Sequence, residues 1–271
     1  MSRKGGGYTM AGGKLKIDIR RQKILDMLKN EGQVTVKQLS DVLGTTPVTI
    51  RNDLDTLAQE DRLLRTRGGA LKKTEDAQPD WRAVDVGQIQ MHGEKTAIAE
   101  KVLDYVKNGD TLFINSGTTT LMVAEALSKR RGLHVVTNSL AVASYMTRMP
   151  GIHVVLLGGE LNANYGFTHG GDAVEQLRRY QPDWCVLSVD GVDAEYGITT
   201  FHAEEVMIDR MMIDQSKKHI IVADHSKIGR AGFSRICGMN KQLITITSSG
   251  CDHAALERME ETGATVCVVK P

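Results

Sequence analysis

The chain has 271 residues, 41% hydrophobic and 25% charged, the profile of a soluble globular protein of one large domain or two ordinary ones. No apolar run approaches the roughly 18 residues that a membrane span needs, so an integral membrane protein is excluded. The net charge of +1 conceals an asymmetry: residues 1–73 hold 15 Lys and Arg against 8 Asp and Glu, an excess of +7 that leaves −6 on the remainder, so a polyanionic partner is expected for the front alone.

In chain order, residues 1–14 (MSRKGGGYTMAGGK) lack the apolar stretch of a secretory signal and read as a flexible tail. Residues 15–73 read as three short helices and a hairpin. The first helix covers about Ile17 to Asn30, with Ile24, Leu25 and Leu28 as core positions, and stops at Glu31-Gly32. The second follows Thr35 as N-cap, turns Leu39, Val42 and Leu43 inward and closes at Gly44. The third begins at Thr46 as N-cap, with Pro47 at the first helical position, where its missing N–H costs nothing. RLLRTRGGALKK then offers two β-prone arms around a Gly68-Gly69 turn, and Arg62, Arg65, Arg67, Lys72 and Lys73 make it basic.

On the third helix Ile50, Leu54 and Leu57 share a face that must be buried. Val48, Thr49, Asn52 and Asp55 lie opposite, with Thr45, Thr46 and Arg51 at the start and flank. Thr and Asn are poor helix formers, so a merely solvated face would more often use Glu, Lys or Gln. They are good readers of bases: Asn pairs bidentately with adenine, Arg with guanine, and a Thr or Val methyl meets thymine. Helix, turn, helix is the geometry that lays its second helix in the major groove. Thr46, Thr49, Arg51 and Asn52 are therefore expected to read double-stranded DNA, with Arg65 and Arg67 on a basic wing against phosphates. The competing reading is a small helical domain packed on a partner protein.

Residues 74–92 are polar and irregular and read as a linker, with a short helical end. From residue 93 to 271 the pattern changes. The buried-type strands TLFIN, LHVVTN, IHVVLLGG, WCVLSVD, HIIVAD, LITIT and TVCVV alternate with amphipathic helices. That predicts an α/β domain with a mostly parallel sheet covered on both faces.

Ligands of such sheets bind beyond the strand C-termini. NSGTTT (Asn115, Ser116, Gly117, Thr118, Thr119, Thr120) lies between a strand and a helix. It is either an anion cradle of backbone N–H groups and hydroxyls or a well-capped helix start. Asn138 in VTNS repeats the layout, though Asn and Ser also suit an ordinary turn. Gly158-Gly159 ends another strand, for close approach of a ligand or for a turn. Asp190 in DGVD and Glu205 at a helix start could accept hydrogen bonds from sugar hydroxyls. Lys227 in DHSK is a counter-charge for a phosphate or a solvated surface lysine. His169, His202 and His225 fall in different loops without ligand spacing, and Cys185, Cys237, Cys251 and Cys267 form no CxxC pair, so neither a metal nor a cofactor is expected.

The stretch RQKILDMLKNEGQVTVKQLSDVLGTTPVTIRNDLDTL followed by RTRGGA, together with NSGTTT, VTNS, LLGGEL, DGVD and DHSK, resembles the DeoR family of bacterial transcriptional regulators over nearly the whole chain. The resemblance implies an N-terminal winged helix-turn-helix and a C-terminal effector-binding fold similar to ribose-5-phosphate isomerase. It implies a cytoplasmic repressor of a carbohydrate-utilisation operon whose DNA affinity responds to a phosphorylated sugar. It also implies that Asn115–Thr120, Asn138, Gly158, Asp190, Glu205 and Lys227 hold the effector. The chain departs from the family pattern at Asn52, where a second arginine is common, at Asn115, where Asp is frequent, and at His202-Ala203, where Asn-Glu is frequent. A homo-oligomer, dimer or tetramer, is expected because one small head makes few base contacts. The alternative is a sugar-phosphate isomerase-like enzyme carrying a DNA-binding head. Residues 194–203 lack the lysine that the isomerase pattern places after its aspartate motif, which counts against it.

Overall fold

The computed structural model describes residues 10–59, 62–66, 68–72, 89 and 91–271. The expected linker falls largely outside them, as do Arg67 and Lys73. The chain divides into two units, Met1–Glu75 and Asp76–Pro271.

In the first unit α1 (Met10–Glu31), β1 (Gln33–Thr35), α2 (Val36–Leu43), α3 (Pro47–Gln59), β2 (Leu63–Thr66) and β3 (Gly69–Lys72) follow in order. The first helix starts at Met10 rather than near Ile17, so Gly12 and Gly13, expected in a flexible tail, are helical. Glycine costs only about 1 kcal/mol against alanine in a helix, which a 22-residue helix absorbs. Thr35 caps α2 in a capping box with Gln38, each satisfying an N–H of the other. Ile24, Leu28, Val34, Val36, Leu39, Ile50, Leu54, Leu57, Leu63 and Ala70 form the core.

Val42 is a correction: it is 63% exposed. Val36, Leu39 and Leu43 already line the inner face of α2, and Val42 sits one residue, about 100° of rotation, away from Leu43. The hairpin is also larger than expected, because β1 adds a third strand in the order β1-β3-β2. Gly69 belongs to β3, paired with Thr66 and Thr35, and not to the turn. A Cβ there would lie 1.9 Å from the Val34 carbonyl oxygen, so only glycine lets β1 approach. Arg20 and Arg21 on α1 both grip Asp53 of α3, which is 2% exposed, and so tie the two helices together.

The second unit is built on a seven-stranded sheet in the order β15-β14-β12-β9-β4-β5-β6, parallel throughout. Its strands are β4 (Thr111–Ile114), β5 (His134–Thr137), β6 (His153–Leu156), β9 (Trp184–Ser188), β12 (Lys218–Val222), β14 (Leu243–Ser248) and β15 (Thr265–Val269). All seven expected strands are present. Alternate residues serve opposite faces, as a two-residue period requires. Leu112, Ile114, Val186, Ile220 and Val222 join one core with α4 (His92–Val102), α5 (Thr118–Ala126) and α6 (Leu140–Met146). Phe113, Cys185, Leu187 and Ile221 join the other with α7 (Gly171–Leu177), α8 (Val206–Gln215) and α9 (His253–Glu261). Two antiparallel additions were not foreseen: the hairpin β7 (Glu160–Asn162) and β8 (Phe167–His169), and a small sheet of β10 (Gly191–Asp193), β11 (Gly197–Thr200) and β13 (Ser234–Cys237).

The strand order places the topological switch between β4 and β9. From β4 the chain winds outward through β5 and β6, then returns to lay β9 on the other side of β4. In an open parallel sheet the crevice beyond that point is where ligands sit.

Candidate functional site

In the first unit the exposed side of α3 starts with Thr46, whose hydroxyl accepts the Thr49 N–H at 3.3 Å and lies 3.0 Å from the Thr49 hydroxyl. Thr46 thus caps the helix as expected, and the two hydroxyls partner each other. Arg51 and Asn52 are exposed, and Val48 beside them is 62% exposed. Arg65 departs from expectation. Its Nε donates to Asp55 Oδ1 at 2.6 Å, and one terminal nitrogen donates to the carbonyls of Thr66 and Gly69. The guanidinium binds β2 and β3 to α3 instead of facing outward, because Asp55 and the wing carbonyls lie within its reach. Arg67 lies outside the described residues.

In the second unit Asn115 stands at the switch point and is fully buried. Its Nδ2 donates to the Ser188 carbonyl at 2.9 Å and to Asp209 Oδ1 at 3.1 Å, and its Oδ1 accepts the Ser188 N–H at 2.8 Å. Asn115 therefore braces the crevice rather than facing a ligand. Thr120 is buried too, its hydroxyl bonded to the carbonyls of Asn115 and Gly117, and Thr119 is buried beside it. Ser116, Gly117 and Thr118 are half-buried at the opening. Gly117 is the N-cap of α5 and supplies no side-chain cap, so the first-turn N–H groups of Thr118, Thr119 and Thr120 have no side chain to accept them. A Cβ on Gly117 would lie 2.6 Å from the Ser188 Cβ, which explains the glycine.

Asn138 follows β5, one residue past the Ile114–Thr137 pair, and so lies alongside Asn115. Its Nδ2 donates to the Thr168 carbonyl at 3.2 Å, while its buried Oδ1 has no partner. The adjacent Ser139 caps α6. Gly158 is held differently, with its N–H donating to Gln176 Oε1 at 3.1 Å beside α7. No hydrogen bond joins it to the rest of the cluster among the described residues. Nearby, Glu160, His169, Gly170, Gly171 and Asp172 line an open depression of about 150 Å³, but two carboxylates give it the wrong sign for a phosphate.

Asp190, just before β10, accepts the Phe201 N–H at 2.9 Å and the Thr200 hydroxyl at 3.2 Å, and Lys227 Nζ lies 3.6 Å from it. Burial pushes the Asp190 carboxyl up, but Lys227, His202 and these hydrogen bonds outweigh it and hold the group below its ordinary value. The Thr200 hydroxyl also reaches Glu205 at 3.4 Å, and Glu205 sits one helical turn from Asp209. Burial, then the charges of Asp209 and Asp190, push Glu205 well above the carboxylate range. Burial raises Asp209 to about 7 despite its bond from Asn115, and its Oδ2 is buried without a partner. His202 packs edge-on against Tyr165, ring centroids 4.1 Å apart, and burial lowers its imidazole below the usual value.

A continuous set thus runs from Ser188 and Asn115 through Asp209, Glu205, Thr200 and Asp190 to Lys227. Sequence reasoning missed Ser188, Thr200 and Asp209. Only Asp209 carried a signal, as a carboxylate four residues after Glu205 inside an otherwise apolar helix face. Among the described residues no group of three His, Cys, Asp or Glu is placed to hold a metal ion, and no helix is long and apolar enough to cross a membrane.

Residues 20–75 match the DeoR-like helix-turn-helix domain and residues 90–249 the DeoR C terminal sensor domain. The glycerol-3-phosphate regulon repressor of Escherichia coli K12 is 34% identical over 78% of this chain and 82% of its own length. The transcriptional repressor GlcR of Bacillus subtilis is 31% identical over 91% of this chain and 94% of its own. The putative aga operon repressor of Escherichia coli O157:H7 is 29% identical over 92% and 93%. These relatives are named as regulators, not enzymes. Among solved structures, ribose-5-phosphate isomerase A of Neisseria gonorrhoeae covers 49% of this chain and 52% of its own at 20% identity and a TM-score of 0.37. The helix-turn-helix head and the sensor domain together make this chain a DNA-binding transcriptional regulator, a member of the DeoR family.

Proposed function

We propose that the protein is a cytoplasmic repressor of a carbohydrate-utilisation operon, released from its operator by a phosphorylated sugar or related metabolite. The observation that carries the effector reading is the uncapped start of α5 at the β4–β9 switch point. A phosphate there accepts the free N–H groups of Thr118–Thr120 and favours the positive end of the helix, with the Ser116 and Thr118 hydroxyls at hand. The hydroxyl-bearing part of the metabolite meets Asp190 and Glu205. A Glu205 kept protonated by its burial donates a hydrogen bond, and Asp190 accepts one. Lys227 supplies the countercharge, and the unpartnered Asn138 Oδ1 offers an acceptor to a hydroxyl.

Thr46, Thr49, Arg51 and Asn52, with Val48 beside them, read bases in the major groove. Arg65 holds the wing in place, and Arg67, between β2 and β3 in sequence, contacts phosphate. The protein acts as a homo-oligomer, a dimer or tetramer, because paired heads read paired half-sites. It carries no catalysis: the only lysine in the set is paired with Asp190 as a countercharge, and residues 194–203 contain none.

The test has two stages. Duplexes selected from a random pool by the purified protein should yield a two-fold symmetric site whose affinity falls steeply with salt. That complex is then titrated with pentose, hexose and triol phosphates. Dissociation by one of them, with Lys227→Ala keeping operator affinity but losing the response, is the expected result. Indifference of the protein to every duplex, or of the complex to every phosphate, defeats the corresponding half of the reading.

A further inference from the structure

The loop Asp224–Lys227 faces two ways. On one side Lys227 lies 3.6 Å from Asp190 in the proposed effector site. On the other, its neighbours grip the start of α4. Lys95 Nζ is 3.2 Å from Asp224 Oδ2, with both side chains buried. His225 Nδ1 is 2.7 Å from Glu94 Oε2. Ser248, at the end of β14, donates its hydroxyl to the same Glu94 oxygen and accepts the His225 N–H at 2.9 Å. The Ser226 N–H and hydroxyl hold the other Asp224 oxygen. The loop therefore has little freedom to move without α4. A buried charge that loses its partner is strongly disfavoured, so a displaced Asp224 must carry Lys95 with it.

α4 is the helix that the chain enters after residues 76–91, the stretch that in sequence follows the DNA-binding unit. Its entry is strained. Met91 has φ of 55° and is the one non-glycine residue with positive φ among the described residues. Its carbonyl accepts the Lys95 N–H at 3.0 Å. Side chains of this kind rarely adopt that conformation, and it persists only where surrounding contacts over-determine it. Glu94 and Lys95, with their pairs to His225 and Asp224, follow Met91 by three and four residues in the first turn of α4.

We propose that Glu94 and Lys95 are positioning residues that pass occupancy of the effector site to the segment leading to the DNA-binding unit. An anion that draws Lys227 away from Asp190 shifts the 224–227 loop. The loop shifts the start of α4, and the strained Met91 entry relaxes. The differential contact that any switch requires is the choice of Lys227 between Asp190 and ligand. The proposal rests on the effector site proposed above.

The test uses the full chain with glycerol 3-phosphate, glucose 6-phosphate and ribose 5-phosphate as probes. Hydrogen exchange is followed at amides 93–98 and 116–121, alongside operator titrations. The variants are Glu94→Gln, which keeps the shape of the side chain, and the double Lys95→Met/Asp224→Leu, which removes both buried charges together. In the wild type, a probe that protects 116–121 should also change exchange at 93–98. The variants should bind operator and probe within about threefold of wild type, yet the probe's effect on operator affinity, typically about 5–150-fold for an allosteric regulator, should fall below about twofold. Protection at 116–121 without change at 93–98, or variants that keep the full response, overturns the coupling while leaving the effector site standing. No protection at 116–121 by any probe sinks the effector site, and the coupling with it.

Discussion

Asn115 and Ser188, the one just past the end of β4 and the other the last residue of β9, exchange two hydrogen bonds at 2.9 and 2.8 Å across the switch point of the sheet. The same asparagine holds Asp209. Replacing it by alanine leaves a buried N–H, a carbonyl and a carboxylate without their partner. Asn115→Ala should cost the sensor unit about 2–4 kcal/mol, read by urea unfolding. A variant as stable as its parent would show that the clasp is not what keeps the crevice in shape.

Gly117 lies against Ser188 so closely that a methyl group would overlap it. Gly117→Ala should therefore destabilise by about 1–3 kcal/mol and weaken phosphate binding at the start of α5. Adding Ser188→Gly removes the colliding atoms and should restore both. If the second substitution rescues nothing, the close approach is not the reason for the glycine.

Burial raises Asp209 to about 7, while in the unfolded chain it titrates near its ordinary value of about 3.9. Between those pH values the unfolded state has lost a proton that the folded state keeps, so stability falls as pH rises from about 4 to about 7 and then levels. Glu205 is shifted in the same direction and adds to the slope. Asp209→Asn keeps an acceptor for Asn115. It should flatten the profile and raise stability at pH 8 by on the order of 4 kcal/mol. Thermal unfolding from pH 4 to 8 decides it, and an unchanged slope places the titration elsewhere.

Arg51 is exposed on α3 and pairs with no carboxylate among the described residues. Arg51→Ala should lose about 1–3 kcal/mol of operator affinity and relax preference at one position of each half-site. Selection from a random pool with wild type and variant side by side shows whether the preference changes. Identical preferences remove Arg51 from the reading set.

Arg65 is held by Asp55 at 2.6 Å. A double-mutant cycle on the pair should give a coupling of about 0.5–1 kcal/mol in wing stability. Arg65→Ala should also change the salt slope of operator binding by less than the ~0.9 that one phosphate contact contributes. A drop of a full unit would return Arg65 to the phosphate-binding set.

The head and the sheet were legible because their information is local. Ile50, Leu54 and Leu57 recur at helical spacing and are all fully buried. Thr35, Thr46 and Gly44 mark helix ends at the positions they occupy. The seven apolar runs became the seven parallel strands. Val42 shows the limit of such reading. An apolar residue near an amphipathic stripe looks buried in sequence, and only the direction in which α2 packs excludes it.

By itself, then, the residue order determined periodicity, caps, the seven strands of the parallel sheet and the loops at their ends, since each depends on neighbours within a few positions. The tertiary structure decided which of those loops meet and which side chains remain free. Asn115 is bonded to residues 73 and 94 positions away, and Glu94 to one 131 positions away. Contacts across such separations follow from strand order and helix packing, so no local pattern announces that Asn115 and Arg65 are braces, or that Glu94 and Lys95 grip the loop that carries Lys227.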